Sequence, residues 1–282
     1  MSANKNIIWL ASYPKSGNTW VRIFLANYLN PQDKAININD INISTISSSR
    51  KIFDEHVPFL SSNLTDDEID TLRPKVYQSL SQELDEPLFI KTHDAFTQNI
   101  EGKDIFPLSV TQGIIHIVRN PLDVAVSFAH HSNISIKKSV QLLNAHNKTL
   151  SVRPHSISTQ LRQKLLSWSE HYLSWKDVKA PYLLIKYEDL LNKPEATFRK
   201  IIIFIYQEVN DEKLRRAIQF SSFKELKKQE KDYSFNEKAL KSKQFFRKGV
   251  AGSWQTEMTK EEITTIIDNH RKIMLELNYL TN

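Results

Sequence analysis

Ile7-Ile8-Trp9-Leu10-Ala11-Ser12-Tyr13-Pro14-Lys15-Ser16-Gly17-Asn18-Thr19-Trp20-Val21-Arg22-Ile23-Phe24-Leu25 is the stretch on which the reading of this chain turns. Its first five residues are apolar and rich in β-formers, the pattern of a strand buried on both faces. Trp20, Val21, Phe24, Leu25 and Tyr28 then recur at helical spacing. A tight Tyr13–Asn18 connection lies between, so the order is strand, loop, helix. The same apolar runs at Leu88–Lys91, Gly113–Val118 and Tyr182–Lys186 predict three further strands. Helices are predicted around Leu161–Asp177, Pro194–Tyr206 and Lys260–Leu277. After Gly113–Val118, Asn120 suits an N-cap, Pro121 a first helical position and Asp123 a first turn. Alternating strands and helices predict an α/β fold with a parallel β-sheet flanked by helices. Sheets of this kind bind ligands beyond the carboxyl ends of their strands, and the informative residues of this chain follow its strands.

The composition narrows the class. At 282 residues, with 40% hydrophobic and 25% charged, the chain can bury a sizeable core and is not a disordered one. No repeat, low-complexity tract or Pro/Gly-rich linker interrupts it, so a single domain over residues 1–282 is expected, with insertions at about 30–80, 130–160 and 230–245. Cysteine is absent, which removes disulfide scaffolds, thiolate metal sites and cysteine nucleophiles. Ile7–Ala11 is too short for a signal-peptide core, and the longest strongly apolar run, Ile201–Tyr206, is far below the ~20 residues of a membrane span. A cytoplasmic protein with no membrane span is the expectation. A net charge of +6 suits an anionic ligand, a nucleic acid or an acidic surface without choosing among them.

Four constellations carry chemistry. The first is Tyr13-Pro14-Lys15-Ser16-Gly17-Asn18-Thr19-Trp20, between strand and helix. Loop amides and the positive end of a helix dipole form an anion cradle. Gly17 lets the backbone approach the ligand, Lys15 adds a cation, and Ser16, Asn18 and Thr19 add side-chain donors. No lysine follows Gly17, so this is not a Walker A loop. An ordinary turn with a capping serine or asparagine is the plain alternative. The second is Val118 to Ser127, where Arg119 ends a strand and can grip a phosphate bidentately, with Ser127 about two turns into the next helix. The third, Phe246-Arg247-Lys248-Gly249-Val250-Ala251-Gly252-Ser253-Trp254, holds two of five glycines beside adjacent cations, which fits a loop wrapped on an anion. In the fourth, Lys91-Thr92-His93, a histidine with an unperturbed pKa of about 6.5 follows a strand at the sheet's ligand edge.

Together these strings resemble the sulfotransferases that use 3′-phosphoadenosine 5′-phosphosulfate (PAPS). The resemblance runs from Ser12 to Trp254 and implies a P-loop-NTPase-like three-layer sandwich. It implies that Lys15, Ser16, Gly17, Asn18, Thr19 and Trp20 hold the 5′-phosphosulfate, with Asn18 where the family usually has threonine. Arg119, Ser127, Arg247, Lys248 and Gly249 are implied at the 3′-phosphate, with Ser253 where an aspartate is common. Trp20 and Phe223 resemble the pair that sandwiches adenine, Tyr187 the tyrosine near its amine, and Ser221 the hydroxyl beside the base. Each of these also has an ordinary core-packing reading. His93 takes the role of catalytic base, with Lys91 helping to hold charge on the transferring group and Lys15 placed to meet the charge that develops on the leaving 5′-phosphate. No metal is implied, since no carboxylate or histidine cluster has ligand spacing. The implied reaction moves a sulfuryl group from PAPS to a hydroxyl or amine, releasing adenosine 3′,5′-bisphosphate. An ATP- and magnesium-dependent P-loop-like kinase or nucleotide hydrolase is the alternative. A nucleic-acid partner is not expected, because no nucleic-acid-binding signature is present. The insertions are expected to form the acceptor pocket, and Phe53, Val57, Phe59, Leu60, Phe128 and Phe235 suit a small hydrophobic alcohol or phenol as well as they suit a core. Near Gln255–Thr264 only Thr259 fits the family's short dimer motif, since Gln255, Lys260 and Thr264 depart from it, and the sequence leaves the oligomeric state open.

Overall fold

Strand β1 (Ile7–Ser12) is buried along its whole length, as its unbroken apolar sequence requires. The computed structural model describes residues 5–83, 85–152, 157–238, 242 and 244–281. In chain order the other strands are β2 (Ser44–Ile46), β3 (Leu88–Thr92), β4 (Thr111–Val118), β5 (Thr149–Leu150), β6 (Gln163–Lys164) and β7 (Tyr182–Lys186). The helices are α1 (Asn18–Leu29), α2 (Arg50–His56), α3 (Asp66–Glu83), α4 (Pro121–Ser132), α5 (Ile136–Leu143) and α6 (Trp168–Lys176). They continue as α7 (Tyr187–Asn192), α8 (Pro194–Tyr206), α9 (Asp211–Phe220), α10 (Phe223–Tyr233), α11 (Trp254–Glu257) and α12 (Lys260–Glu276). A five-stranded parallel sheet runs in the order β2-β3-β1-β4-β7. β1 pairs with β3 from Ile7↔Leu88 to Ala11↔Thr92, and β2 pairs with β3 from Ser44↔Phe89. All four predicted strands are present, and the sheet is flanked by helices as the alternation implied.

The chain divides into two units. One comprises Met1–Tyr13, Ser44–His116 and His146–Leu184; the other Pro14–Ile43, Ile117–Ala145 and Ile185–Asn282. In the first, Ile7, Trp9 and Ala11, alternate residues of β1, pack with Ile90, Ile114, Tyr77, Phe106 and Trp175. Trp9 meets the edges of Tyr77 and Phe106, each at 5.0 Å between centroids, and its indole N–H donates to Thr111 Oγ1 at 2.9 Å. Such aromatic pairs add about 0.5–1.5 kcal/mol each beyond area burial. In the second unit the apolar face of α1 packs on its own helices, with Phe24 stacked on Phe198 at 3.9 Å. Asn120 caps α4 with Pro121 inside it, as predicted, and its side chain accepts from Leu122 N–H.

The predicted helix Leu161–Asp177 begins seven residues late, at Trp168. Ser167 and Glu170 form a reciprocal capping box that fixes the start, and Leu166 turns left-handed at φ 59. Leu161 and Leu165 are buried from irregular chain, and Gln163–Lys164 pairs antiparallel with Thr149–Leu150. Apolar spacing alone misread them as helix. Of the apolar residues that suited an acceptor or a core equally, Phe53, Phe128 and Phe235 are buried in cores, while Phe59 and Leu60 are exposed. Positions 153–156, 239–241 and 243 of the expected insertions lie outside the described residues. Among the described residues no helix is long and apolar enough to cross a membrane, and no group of His, Cys, Asp and Glu is placed to hold a metal.

Candidate functional site

The second unit contains Lys15, Ser16, Gly17, Asn18, Thr19, Trp20, Arg119, Ser127, Tyr187, Ser221, Phe223, Arg247, Lys248 and Gly249. Gly17 is the N-cap of α1, at φ 106 and ψ 7, and among the described residues no side-chain cap is made at this helix end. The turn with a capping serine or asparagine is therefore not what forms. Lys15 is also left-handed, at φ 71, so positive φ values flank Ser16. Alternation of hand is how a backbone builds an anion-binding nest, and a non-glycine residue held there stores about 1–3 kcal/mol of strain. Ser16 Oγ is buried with no hydrogen-bond partner among the described residues. An unpaired buried hydroxyl costs about 1–3 kcal/mol, which a phosphate oxygen would relieve. Tight packing also fixes the loop: a Cβ at Gly17 would meet Tyr187 Cδ2 at 2.8 Å.

Arg119 ties the motifs together. Its Nη1 donates to the Lys15 carbonyl and its Nη2 to the Val250 carbonyl, each at 3.2 Å. The guanidinium carbon lies 4.2 Å from the centroid of the Tyr187 ring, and Nε is buried with no hydrogen-bond partner among the described residues. Burial pushes the Tyr187 phenol up, against the pull of Arg119. Trp20 donates its indole N–H to the Ser221 carbonyl at 2.8 Å and meets Tyr187 edge-on at 5.9 Å. The Ser221 hydroxyl donates instead to the Ala217 carbonyl of its own helix at 2.7 Å. Phe223 underlies the C-terminal loop so closely that a Cβ at Gly249 would meet its ring at 2.3 Å. Trp20 and Phe223 pack against the same core cluster, and Ser127 is half-buried on α4. Lys15 Nζ lies 4.2 Å from the Phe245 ring centroid.

Carboxylates complete this arrangement, and sequence reasoning missed most of them. Asp123, expected only as a first-turn acid, accepts from Gly252 N–H at 2.7 Å and Trp254 N–H at 3.4 Å, anchoring the C-terminal loop on α4. Glu188 accepts from Asn120 N–H and from the Tyr279 hydroxyl, each at 3.0 Å. Glu237 pairs with Arg22 at 2.5 Å, with Thr19 Oγ1 at 3.4 Å. Glu257 is held by Arg247, Lys248 and His130. Burial opposes its ionisation, but the hydrogen bonds from Lys248, His130 and Arg247 bring the carboxyl down to about 2. An acid three residues beyond Trp254, within reach of two adjacent cations, was the available signal for it.

Lys91, Thr92 and His93 belong to the first unit, at the carboxyl end of β3. His93 is half-buried, and its Nδ1 lies 2.8 Å from the Ser12 carbonyl and 3.2 Å from Ser12 Oγ. A carbonyl can only accept, so Nδ1 carries a proton, and in the neutral ring Nε2 carries the lone pair. Every neighbour of the turn is pinned. The His93 carbonyl accepts from His171 Nε2 at 3.2 Å, and the Asp94 carbonyl from Trp175 Nε1 at 2.8 Å. Asp94, fully buried, pairs with the equally buried Arg73 at 2.9 Å and accepts from Lys164 N–H at 2.9 Å. His171 is pushed down to about 3 by burial, so it is neutral and able to donate from one nitrogen. Neither Asp94 nor His171 carried a sequence signal; both depend on long-range contacts.

Residues 5–276 match a family profile described as "Sulfotransferase domain". Mouse sulfotransferase 1B1 is 26% identical over 263 residues, which cover 89% of this chain and 77% of that protein. Among solved structures, mouse sulfotransferase SULT7A1 complexed with PAP superimposes with a TM-score of 0.62 at 22% identity, covering 97% of this chain and 86% of the other. Retinol dehydratase in complex with androsterone and inactive cofactor PAP gives 0.59 at 19% identity, covering 96% and 81%. At these identities the two structures establish the fold.

Proposed function

This chain belongs to the sulfotransferase domain family and is a sulfotransferase, and we propose that it transfers a sulfuryl group from PAPS to a hydroxyl or amine of a small acceptor by in-line displacement. Membership of the family decides against the kinase or nucleotide hydrolase alternative. The donor brings an activated sulfuryl group on a 5′-phosphate leaving group and a separate 3′-phosphate. The observation that carries the reading is Arg119, whose two hydrogen bonds join the Lys15 turn to the Val250 loop while its Nε is left without a partner among the described residues. Three basic motifs, far apart in sequence, are thus joined within a single unit, which supports reading them as one anion-binding arrangement.

In this proposal the turn at Lys15–Thr19 receives the 5′-phosphosulfate. Ser16 Oγ, the amides at the uncapped start of α1 and the Lys15 ammonium meet the charge that develops on the leaving oxygen. Preorganised donors of this kind cost no reorganisation during the reaction, which is why strain at Lys15 is tolerable. Arg119 and Ser127, with Arg247, Lys248 and the Gly249 amide, take the 3′-phosphate, which carries about −1.5 to −2 charges at neutral pH. Trp20, Tyr187, Ser221 and Phe223 line the adenine region, with ring faces suited to purine stacking. His93 is the general base: Nε2 takes the acceptor's proton as the acceptor atom bonds to sulfur and the bond from sulfur to the 5′-phosphate oxygen breaks. The hydrogen bond from Nδ1 to the Ser12 carbonyl supports that tautomer, and Lys91 supports charge on the transferring group.

The acceptor belongs to the proposal as a hydrophobic alcohol, phenol or amine, in keeping with the androsterone and retinol that occupy structures of retinol dehydratase. A single domain and a cytosolic setting are parts of the same proposal, the latter supported by a chain without cysteine. Incubation with sulfur-radiolabelled PAPS and a panel of phenols, alcohols and amines tests it. Label moving to at least one acceptor, and not in His93→Ala, is the expected result. Transfer that persists at the wild-type rate in His93→Ala would refute the base assignment.

A further inference from the structure

Glu257 is the last residue of α11 and stands opposite the two cations expected at the 3′-phosphate. Arg247 Nη1 donates to both of its oxygens, at 2.9 and 3.2 Å, Lys248 Nζ to Oε1 at 2.7 Å, and His130 Nε2 lies 2.7 Å from Oε2. A single carboxylate is therefore ringed by three nitrogen-bearing side chains, in the way a bound anion would be. The loop itself does not depend on these bonds. Its backbone is fixed by Asp123 at Gly252 and Trp254 and by Arg119 at Val250. What Glu257 holds is the direction of the two cationic side chains and part of their charge.

We infer that Glu257 is an internal counter-ion that exchanges with the 3′-phosphate of the nucleotide, setting the affinity of the site for donor and product together. The inference rests on the donor-site reading above and goes beyond it in assigning an opposing residue. A 3′-phosphate, with about −1.5 to −2 charges, outcompetes one carboxylate for Arg247 and Lys248. Binding must nevertheless break or share the existing ion pairs, and like-charge repulsion from Glu257 opposes it throughout. Donor and product carry the same 3′-phosphate, so both are weakened. As the bisphosphate leaves, Glu257 recaptures the two cations and hastens release, a step that limits turnover in many enzymes.

Calorimetry with adenosine 3′,5′-bisphosphate and 5′-AMP tests this on wild type, Glu257→Gln and Arg247→Ala. Glu257→Gln, near-isosteric and followed by thermal melting, is expected to bind the bisphosphate about five- to tenfold tighter, with 5′-AMP unchanged within about twofold. Glu257→Thr should move in the same direction, and stopped-flow release of the bisphosphate should slow in both. Weaker or unchanged bisphosphate binding in Glu257→Gln overturns the inference and makes Glu257 a residue that orients Arg247 for its ligand. An equal gain for both nucleotides also overturns it, since the effect would not be at the 3′-phosphate. Arg247→Ala separates the two levels. It should lose affinity for the bisphosphate selectively, and if it discriminates the nucleotides as wild type does, the donor-site reading itself fails and the exchange with it.

Discussion

Gly17→Ala should damage this protein twice, once in the backbone and once through Tyr187. At φ 106 the residue lies outside the left-handed region that L-residues occupy, so alanine pays about 1–3 kcal/mol in strain. Its Cβ would also lie 2.8 Å from Tyr187 Cδ2 and 3.4 Å from Cε2, in a place where Tyr187 is buried beneath the Arg119 guanidinium. Forcing that ring aside adds about 1–3 kcal/mol of overpacking. The expected loss of unfolding free energy is about 2–6 kcal/mol, read from urea denaturation at constant m-value. Moving Tyr187 also moves Arg119 and the turn it holds, so affinity for adenosine 3′,5′-bisphosphate should fall by at least about thirtyfold in calorimetry. Gly102→Ala is the control: φ is 73, and among the described residues nothing lies within 4 Å of the added Cβ. It should cost only the backbone term, about 1–2 kcal/mol, and leave nucleotide binding alone. If Gly17→Ala is within about 0.5 kcal/mol of wild type and binds the nucleotide normally, the packing argument for this loop is wrong.

Other perturbations separate the remaining roles. Lys15→Ala and His93→Ala should each nearly abolish sulfuryl transfer in a radiolabel assay, and His93→Ala alone should keep bisphosphate affinity; loss of binding in that variant would make His93 part of the donor site. Arg119→Ala should weaken binding of the bisphosphate about 10- to 100-fold more than binding of 5′-AMP, and equal losses would remove Arg119 from the 3′-phosphate. Asp94→Asn leaves fully buried Arg73 with Asp70, at 3.3 Å, as its remaining carboxylate partner among the described residues and should cost about 3 kcal/mol in urea unfolding, the low end for a broken buried pair, against near-neutrality if the Asp94 pair were solvent-screened. His171 titrates near 3 when folded, through burial, and near 6.5 unfolded, so the unfolded chain takes up the proton first. Stability should therefore fall as pH drops from about 6.5 toward 3, and His171→Phe should reduce that slope by up to about 1.4 kcal/mol per pH unit; identical slopes would show that His171 is protonated in the fold.

The legible part of this molecule was the part encoded locally. β1 reads from six consecutive apolar or small residues, and the start of α4 reads from Asn120, Pro121 and Asp123, because each of these acts on neighbours in the chain. The residues proposed for the donor site stood out as strings, since a loop that wraps an anion needs glycine and cations within a few positions. What joined the strings was not. The hydrogen bonds of Arg119 to Lys15 and Val250 span 104 and 131 residues, and no local spacing records such separations. The same holds for Asp94, whose buried partner Arg73 comes from a helix inside an expected insertion. The start of α6 was lost for a different reason: Leu161 and Leu165 are buried, so their apolar character was real, but it served a core and not a helical face. For Phe53, Phe128 and Phe235 the sequence left a pocket and a core open, and burial places them in the core.

The most direct measurement is a paired calorimetric titration of the intact chain with adenosine 3′,5′-bisphosphate and with ATP in the presence of magnesium. The proposed anion site at Lys15, Arg119 and the Val250 loop predicts saturable, one-to-one binding of the bisphosphate and at least about a hundredfold weaker binding of ATP. Preference for ATP and magnesium, or indifference to the 3′-phosphate, would contradict it.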